Sequence, residues 1–153
     1  YATLADILGQ HQAIPAHAAE DSFTILPALE GVAHRKPLRP FTIHHSINGS
    51  FAIRRGPWKL ILCPGSGGWS APRPAQALKN KELPPVQLFN LADDPGEQTN
   101  LSAKEPQLVQ ELVAQLAAAI RNGRTNPGPK QSNEGWPATF HNRVLSAFPE
   151  LRN

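Results

Sequence analysis

Two short turn signals constrain this chain more than any other feature. Asn48-Gly49 and Gly56-Pro57 each stand between β-prone runs: Pro40–His45, then Ser50–Arg55, then Trp58–Cys63. Asn-Gly is the strongest short hairpin signal, because a type I′ turn needs positive φ at both central residues and these two tolerate it best. Gly-Pro breaks the second run and starts the third. Three strands joined this tightly pair in sequence order as an antiparallel meander. A meander has an apolar face that something must cover.

The cover lies further along. Val86–Leu91 reads as a fourth strand, ended by the turn formers Asp93-Asp94-Pro95-Gly96. Ser102-Ala103-Lys104-Glu105 reads as a capping box at a helix start, with Pro106 in the first turn. Leu108, Val109, Leu112, Val113, Leu116 and Ile120 then recur at spacings of three and four and make one apolar stripe, and Gly123 closes the helix. The predicted fold class is therefore α+β: a small antiparallel four-stranded sheet covered by one long helix towards the C-terminus. Trp58 is expected to pack between sheet and helix.

The remaining segments are less regular. Leu4, Ile7 and Leu8 have helical spacing before Gly9, and a helix of two turns needs something to pack on. Residues 10–40 read as a connecting region, and 64–85 as a Pro/Gly-rich insertion of a length that is usually functional or disordered. The tail, with Pro127-Gly128-Pro129, Trp136-Pro137 and a weakly helical Asn142–Phe148, is either an extended strap or partly disordered.

Composition narrows the class. Sixteen prolines and eleven glycines in 153 residues argue against a helical bundle, and 18% charged residues against a charge-rich disordered chain. No apolar run approaches the roughly 20 residues of a membrane-spanning helix. The net charge of +3 is scattered without a block of like charges or a nucleic-acid motif, so it reads as solvated surface. Cys63, the single cysteine, cannot form an internal disulfide. Tyr1 leads straight into the amphipathic stretch without a charged n-region, so the start reads as the middle of a protein.

Several of these segments carry a resemblance. Leu88-Phe89-Asn90-Leu91-Ala92-Asp93-Asp94-Pro95-Gly96-Glu97-Gln98-Thr99-Asn100-Leu101 is similar to the L-Y/F-D/N-L-x-x-D-P-x-E-x-x-N-L signature near the C-terminus of type I, formylglycine-dependent sulfatases. Gly49 to Ile61 resembles that family's A-I-R-x-G-x-W-K-L-I strand pair. Tyr1–Ala5 is similar to the D-L-x-P-T-L helix that ends the catalytic domain, and Asp21–Pro27 to the D-G-x-S-L-L-P segment after it. Asn122–Gly128 resembles the G-R-S-T-P-G tail of arylsulfatase-like bacterial members.

The resemblance implies a parent in the alkaline phosphatase superfamily, of which this chain is the C-terminal portion. It divides the chain into the end of the catalytic domain with its connector (1–35), a sheet-plus-helix subdomain (36–123) and an extended tail (124–153). It implies a sulfuric ester hydrolase whose formylglycine and calcium belong to the parent, whose catalytic domain is this chain's partner, and which acts on a sulfated substrate in the periplasm or outside the cell. This sequence departs from the family's nucleophile motif, C-x-P-x-R. Leu62-Cys63-Pro64-Gly65-Ser66 has its proline one position too early and no arginine, and no aspartate cluster resembles the calcium site. The chain by itself is expected to hold neither cofactor and no catalytic residue, and not to hydrolyse sulfate esters.

In sulfatases this subdomain borders the active-site mouth, which implies candidates for substrate contact: His44, His45, Arg54, Lys59 and, in the glycine-rich insertion, Trp69. His44 and His45 are adjacent on a strand, point to opposite faces and cannot both hold one metal. One of them faces a sulfated sugar or aryl group, with Asn48, Arg54 or Lys59 nearby, or both are ordinary half-exposed strand histidines. Arg54 and Lys59 are sulfate contacts or surface charges, and Trp69 a sugar platform or a loop anchor. Three roles follow: completing a sulfatase, a free-standing module for sulfated or anionic glycans, or an inactive truncated product.

Overall fold

A computed structural model describes residues 1–33, 36–133 and 140–152. The Trp136-Pro137 segment lies outside the described residues. The sheet holds β1 (Thr42–His45), β2 (Phe51–Arg55), β3 (Trp58–Ile61) and β4 (Gln87–Asn90). They pair antiparallel in sequence order. Its helices are α1 (Ala2–Ile7), α2 (Leu26–Leu29), α3 (Pro74–Lys79), α4 (Pro106–Asn122) and α5 (Asn142–Ala147), with short 3-10 turns at His11–Ala13 and Pro149–Leu151.

Register decides which side chains meet. Ile43, Ile53, Leu60 and Leu88 stand directly opposite one another across all four strands. Three of this row, Ile53, Leu60 and Leu88, are fully buried against Leu112, Val113 and Leu116 of α4. Burying each such side chain stabilises by about 1.5–3 kcal/mol. Trp58 packs at the margin of this core, as its alternation predicts. Arg55, on the same face, forms an ion pair with Glu111 of α4 at 2.7 Å. The opposite, outer face carries His44–Ala52–Ile61–Gln87 and Thr42–Arg54–Lys59–Phe89.

Three local expectations are revised. The first hairpin does not use a type I′ turn: Ser46 and Ser50 pair, so the loop has three residues, and only Gly49 has positive φ, at 81°. Asn48 keeps negative φ because its carboxamide oxygen accepts from Ser46 Oγ and the Ser50 N–H, which stabilises the longer loop. Second, α4 starts at Pro106 and Ser102 is no N-cap. Its hydroxyl donates to the Val86 carbonyl instead. Proline forces the preceding Glu105 out of the helical region, to φ −121° and ψ 55°, and takes the first helical position itself.

Third, the end of the tail is neither an extended strap nor loose. α5 and the turn after it bury Val144, Phe148 and Leu151 in the same core as α4. Arg121 donates to the Glu150 carbonyl and fastens this return. At the other end, Arg124 is buried, and its guanidinium donates to the carbonyls of Ala16, Asn126 and Pro129 and to the Asn126 side chain. Asn126 in turn donates to Ala19 and Ser22, so residues 124–126 are stitched to 16–22. Leu4, Ile7 and Leu8 of the first helical stretch remain exposed, as do Ile25 and Leu29 beside it.

Candidate functional site

α4 covers the core face of the sheet, and the opposite face carries its outward polar and charged side chains. There an open cleft of about 440 Å³ is lined by His44, His45, Arg54, Lys59, Glu97, Ser46 and Ser66, among others. Strand alternation places His44, Arg54 and Lys59 on this face together, since they occupy outward positions of three consecutive strands. Partial desolvation in the cleft, then the positive charges of Lys59, Arg54 and Arg39, hold the His44 imidazole below its ordinary range. His44 is therefore a neutral hydrogen-bonding group at neutral pH, set among cations.

Arg54 is oriented by its own hairpin, with Nε donating to the Gly56 carbonyl at 3.1 Å. Lys59 Nζ lies 2.5 Å from Glu97 Oε1 in a half-buried ion pair. Glu97 stands on a backbone with φ of 54°, the left-handed region that a non-glycine residue rarely occupies. The turn before it is held by Asp94, whose carboxylate accepts the Gln98 and Thr99 N–H groups. These backbone hydrogen bonds keep the Asp94 carboxyl below the usual carboxylate range.

The other two candidates stand apart from this group. His45 borders the cleft, but its ring sits edge-on to Phe51 with centroids 4.1 Å apart. Trp69 does not line the cleft and is 83% exposed on the insertion loop. Sequence reasoning missed Glu97 as a site residue. Its only signal is the glutamate in the Asp-Pro-Gly-Glu run, which says nothing of a lysine 38 positions earlier.

These residues do not suit the formylglycine and calcium that the resemblance implies. Cys63 is buried, and its thiol donates to the Gly65 carbonyl at 3.1 Å, within the turn that leaves β3. Among the described residues no three His, Cys, Asp or Glu side chains are grouped to hold a metal ion.

A family model of the C-terminal region of aryl-sulfatase matches residues 37–146. The chain belongs to the sulfatase C-terminal family. It is 32% identical over 115 residues to an N-acetylgalactosamine-6-O-sulfatase of Bacteroides thetaiotaomicron, a match covering 73% of this chain and 20% of the relative. A solved structure from work on glycosaminoglycan metabolism by B. thetaiotaomicron is 30% identical, with a TM-score of 0.58 over 77% of this chain and 23% of that one. A second B. thetaiotaomicron structure, described as a putative sulfatase, shares the fold at 19% identity and a TM-score of 0.51, covering 87% and 30% of the two chains. This sulfatase region thus spans about a fifth of the length of the curated relative it matches. The family match runs into α5, the helix whose Val144 completes the core. No helix among the described residues is long and apolar enough to cross a membrane.

Proposed function

We propose that this chain completes the fold of a sulfatase and forms part of the rim of its substrate pocket, in an enzyme that hydrolyses sulfate esters of sugars. The observation that carries the reading is the cleft in which His44, Arg54 and Lys59 converge on the one sheet face that α4 leaves open. Arg54 beside a neutral imidazole suits an anionic, hydroxyl-bearing ligand, since the guanidinium takes the charge and the imidazole pairs with a hydroxyl, while Lys59 is held by Glu97. The likeness to an N-acetylgalactosamine-6-O-sulfatase supports a sulfated sugar as substrate class. Exposed Leu4, Ile7, Leu8 and Leu29 supply an apolar face for the catalytic domain, which would bring the formylglycine and calcium.

The test is kinetic, in the full-length sulfatase that carries this region. His44→Ala and Arg54→Ala raise KM for a sulfated N-acetylgalactosamine, the arginine change by about ten- to a hundredfold, the worth of one charge-assisted hydrogen bond. An unchanged KM in both variants rejects the cleft as a substrate contact. A second reading, a free-standing glycan-binding module, draws on the sheet, α4 and α5 sharing one buried core. Saturable binding of a sulfated glycan by this chain alone would favour it.

A further inference from the structure

The two cations of the cleft are held in different ways. Arg54 and Lys59 stand directly opposite each other on β2 and β3. Arg54 is oriented through Nε, and among the described residues its two terminal nitrogens have no hydrogen-bond partner. They keep the planar fork that suits an anionic group. The Lys59 ammonium is instead paired with Glu97, and both side chains are half-buried and line the cleft.

That pair has hydrogen-bonding capacity left over. Among the described residues, Oε1 is the one Glu97 carboxylate oxygen engaged, and Glu97 is the one partner of the Lys59 ammonium. A carboxylate accepts through both oxygens, and an ammonium has three donors. An acceptor and a donor thus stand side by side on the cleft wall, next to the Arg54 fork.

The carboxylate is delivered there by a rigid and strained turn. The Glu97 N–H donates to the Asp94 carbonyl at 3.2 Å, and Gln98 Nε2 donates to the Gly96 carbonyl at 2.5 Å. With the Asp94 carboxylate holding the Gln98 and Thr99 N–H groups, the backbone is fixed on both sides of Glu97. A partly exposed ion pair stabilises by less than a left-handed backbone costs, so the pair with Lys59 does not by itself account for the position. Strain held in place by its surroundings is characteristic of ligand-contacting positions.

We infer that Glu97 is a specificity-determining ligand contact of the cleft, its unengaged carboxylate oxygen accepting from one hydroxyl of a sulfated sugar while Lys59 donates to the neighbouring oxygen. The inference rests on the cleft reading above and divides its work: Arg54 takes the anionic group, and the Lys59–Glu97 pair reads the hydroxyls. Adjacent hydroxyls of a pyranose can donate and accept together, which matches an acceptor and a donor side by side. An anion without hydroxyls gains nothing from Glu97 and is repelled by its charge. Glu97 therefore favours sugar sulfates over simple aryl sulfates.

The experiment uses the full-length sulfatase that carries this region, with 6-O-sulfated N-acetylgalactosamine as substrate and 4-nitrophenyl sulfate as a competing ligand. Thermal stability is measured alongside. Glu97→Gln keeps the side chain's shape and an acceptor oxygen but loses the charge. It raises KM for the sugar by roughly three- to tenfold, the difference between a charge-assisted and a neutral hydrogen bond. The same change lowers the inhibition constant of 4-nitrophenyl sulfate, because a repelling charge has gone. Glu97→Gly relieves the backbone and removes the acceptor altogether, and it raises KM for the sugar further while moving the aryl sulfate in the same direction. Equal weakening of both ligands with a lower Tm overturns the inference and makes Glu97 a prop for Lys59. An unchanged sugar KM in both Glu97 variants, while Arg54→Ala raises it, overturns the inference and leaves the cleft reading intact. An unchanged sugar KM in the Arg54, His44 and Glu97 variants alike overturns both.

Discussion

Glu97 meets Lys59 across the outer face of the sheet, with Oε1 and Nζ 2.5 Å apart, from a left-handed backbone position that costs energy to hold. The strain and the ion pair belong together: a left-handed kink after Gly96 is what turns this carboxylate back onto β3. Forcing a residue with a Cβ into that region costs about 1–2 kcal/mol. Glu97→Gly removes the strain with the ion pair, whereas Glu97→Ala keeps the strain and loses the pair. Urea denaturation is expected to find the alanine variant less stable than the glycine variant by about 1 kcal/mol. Equal stabilities would mean that φ of 54° carries no strain here.

Asp94 predicts an acid limb of the stability curve. Its folded carboxyl is held below the ordinary value of 3.8 by the Gln98 and Thr99 N–H groups, and unfolding returns it to that value. The unfolded chain therefore binds the proton first. Stability from Asp94 is fully present above the unfolded value and is lost as pH falls through the lower folded one. Melting temperatures measured from pH 6 down to about pH 2.5 should fall less steeply in Asp94→Asn than in the parent sequence.

His44 offers a direct probe of the cleft. Two of the causes of its lowered pKa are the cations Lys59 and Arg54. An anion bound between them offsets their charge and moves the imidazole back up. An NMR titration of His44 in sodium sulfate should therefore give a higher midpoint than one in sodium chloride at matched ionic strength. The same midpoint in both salts would mean that the cleft does not collect anions.

Val144 tests whether the tail belongs to the core. It is fully buried among residues of the sheet and α4. Val144→Ala removes two buried carbons and leaves a cavity, at a cost of about 1.5–3 kcal/mol. Chemical denaturation reads this directly, and a cost below about 0.5 kcal/mol, the level of an ordinary surface substitution, would place α5 outside the cooperative unit.

Arg124 is the tie between 124–131 and the segment at 16–22. Arg124→Ala strands the Ala16 and Pro129 carbonyls, each unmade bond costing about 1–3 kcal/mol. Hydrogen exchange should speed at Thr125 and Asn126, whose N–H groups both bond Glu20, while the amides of β2 and β3 keep their protection.

The elements read well from the chain because their causes are local. Gly56-Pro57 places β2 beside β3 through a two-residue turn, and a stripe at helical spacing makes α4 whatever it packs on. Boundaries read less well where two local preferences compete. Ser102 had the side chain of an N-cap, but Pro106 decided where the helix begins. Asn48-Gly49 had the composition of a type I′ turn, but Ser46 and Ser50 closed a longer loop around it. The sequence singles out five candidate residues, yet only three of them, His44, Arg54 and Lys59, share one strand face.

By itself, then, the amino-acid sequence determined the meander, the covering helix and the signature turn that tie this chain to the sulfatases. Each of these depends on residues a few positions apart, within reach of backbone preference and side-chain period. Only the tertiary structure decided that α5 returns to complete the core, that Arg124 sews the tail to residues 16–22, and that Glu97 meets Lys59 above β3. Those contacts join residues 29 to 108 positions apart, and no local pattern encodes such a pairing. It appears when burial of the Ile53–Leu60–Leu88 row under α4 sets the sheet's orientation and puts His44, Arg54 and Lys59 together on the other face.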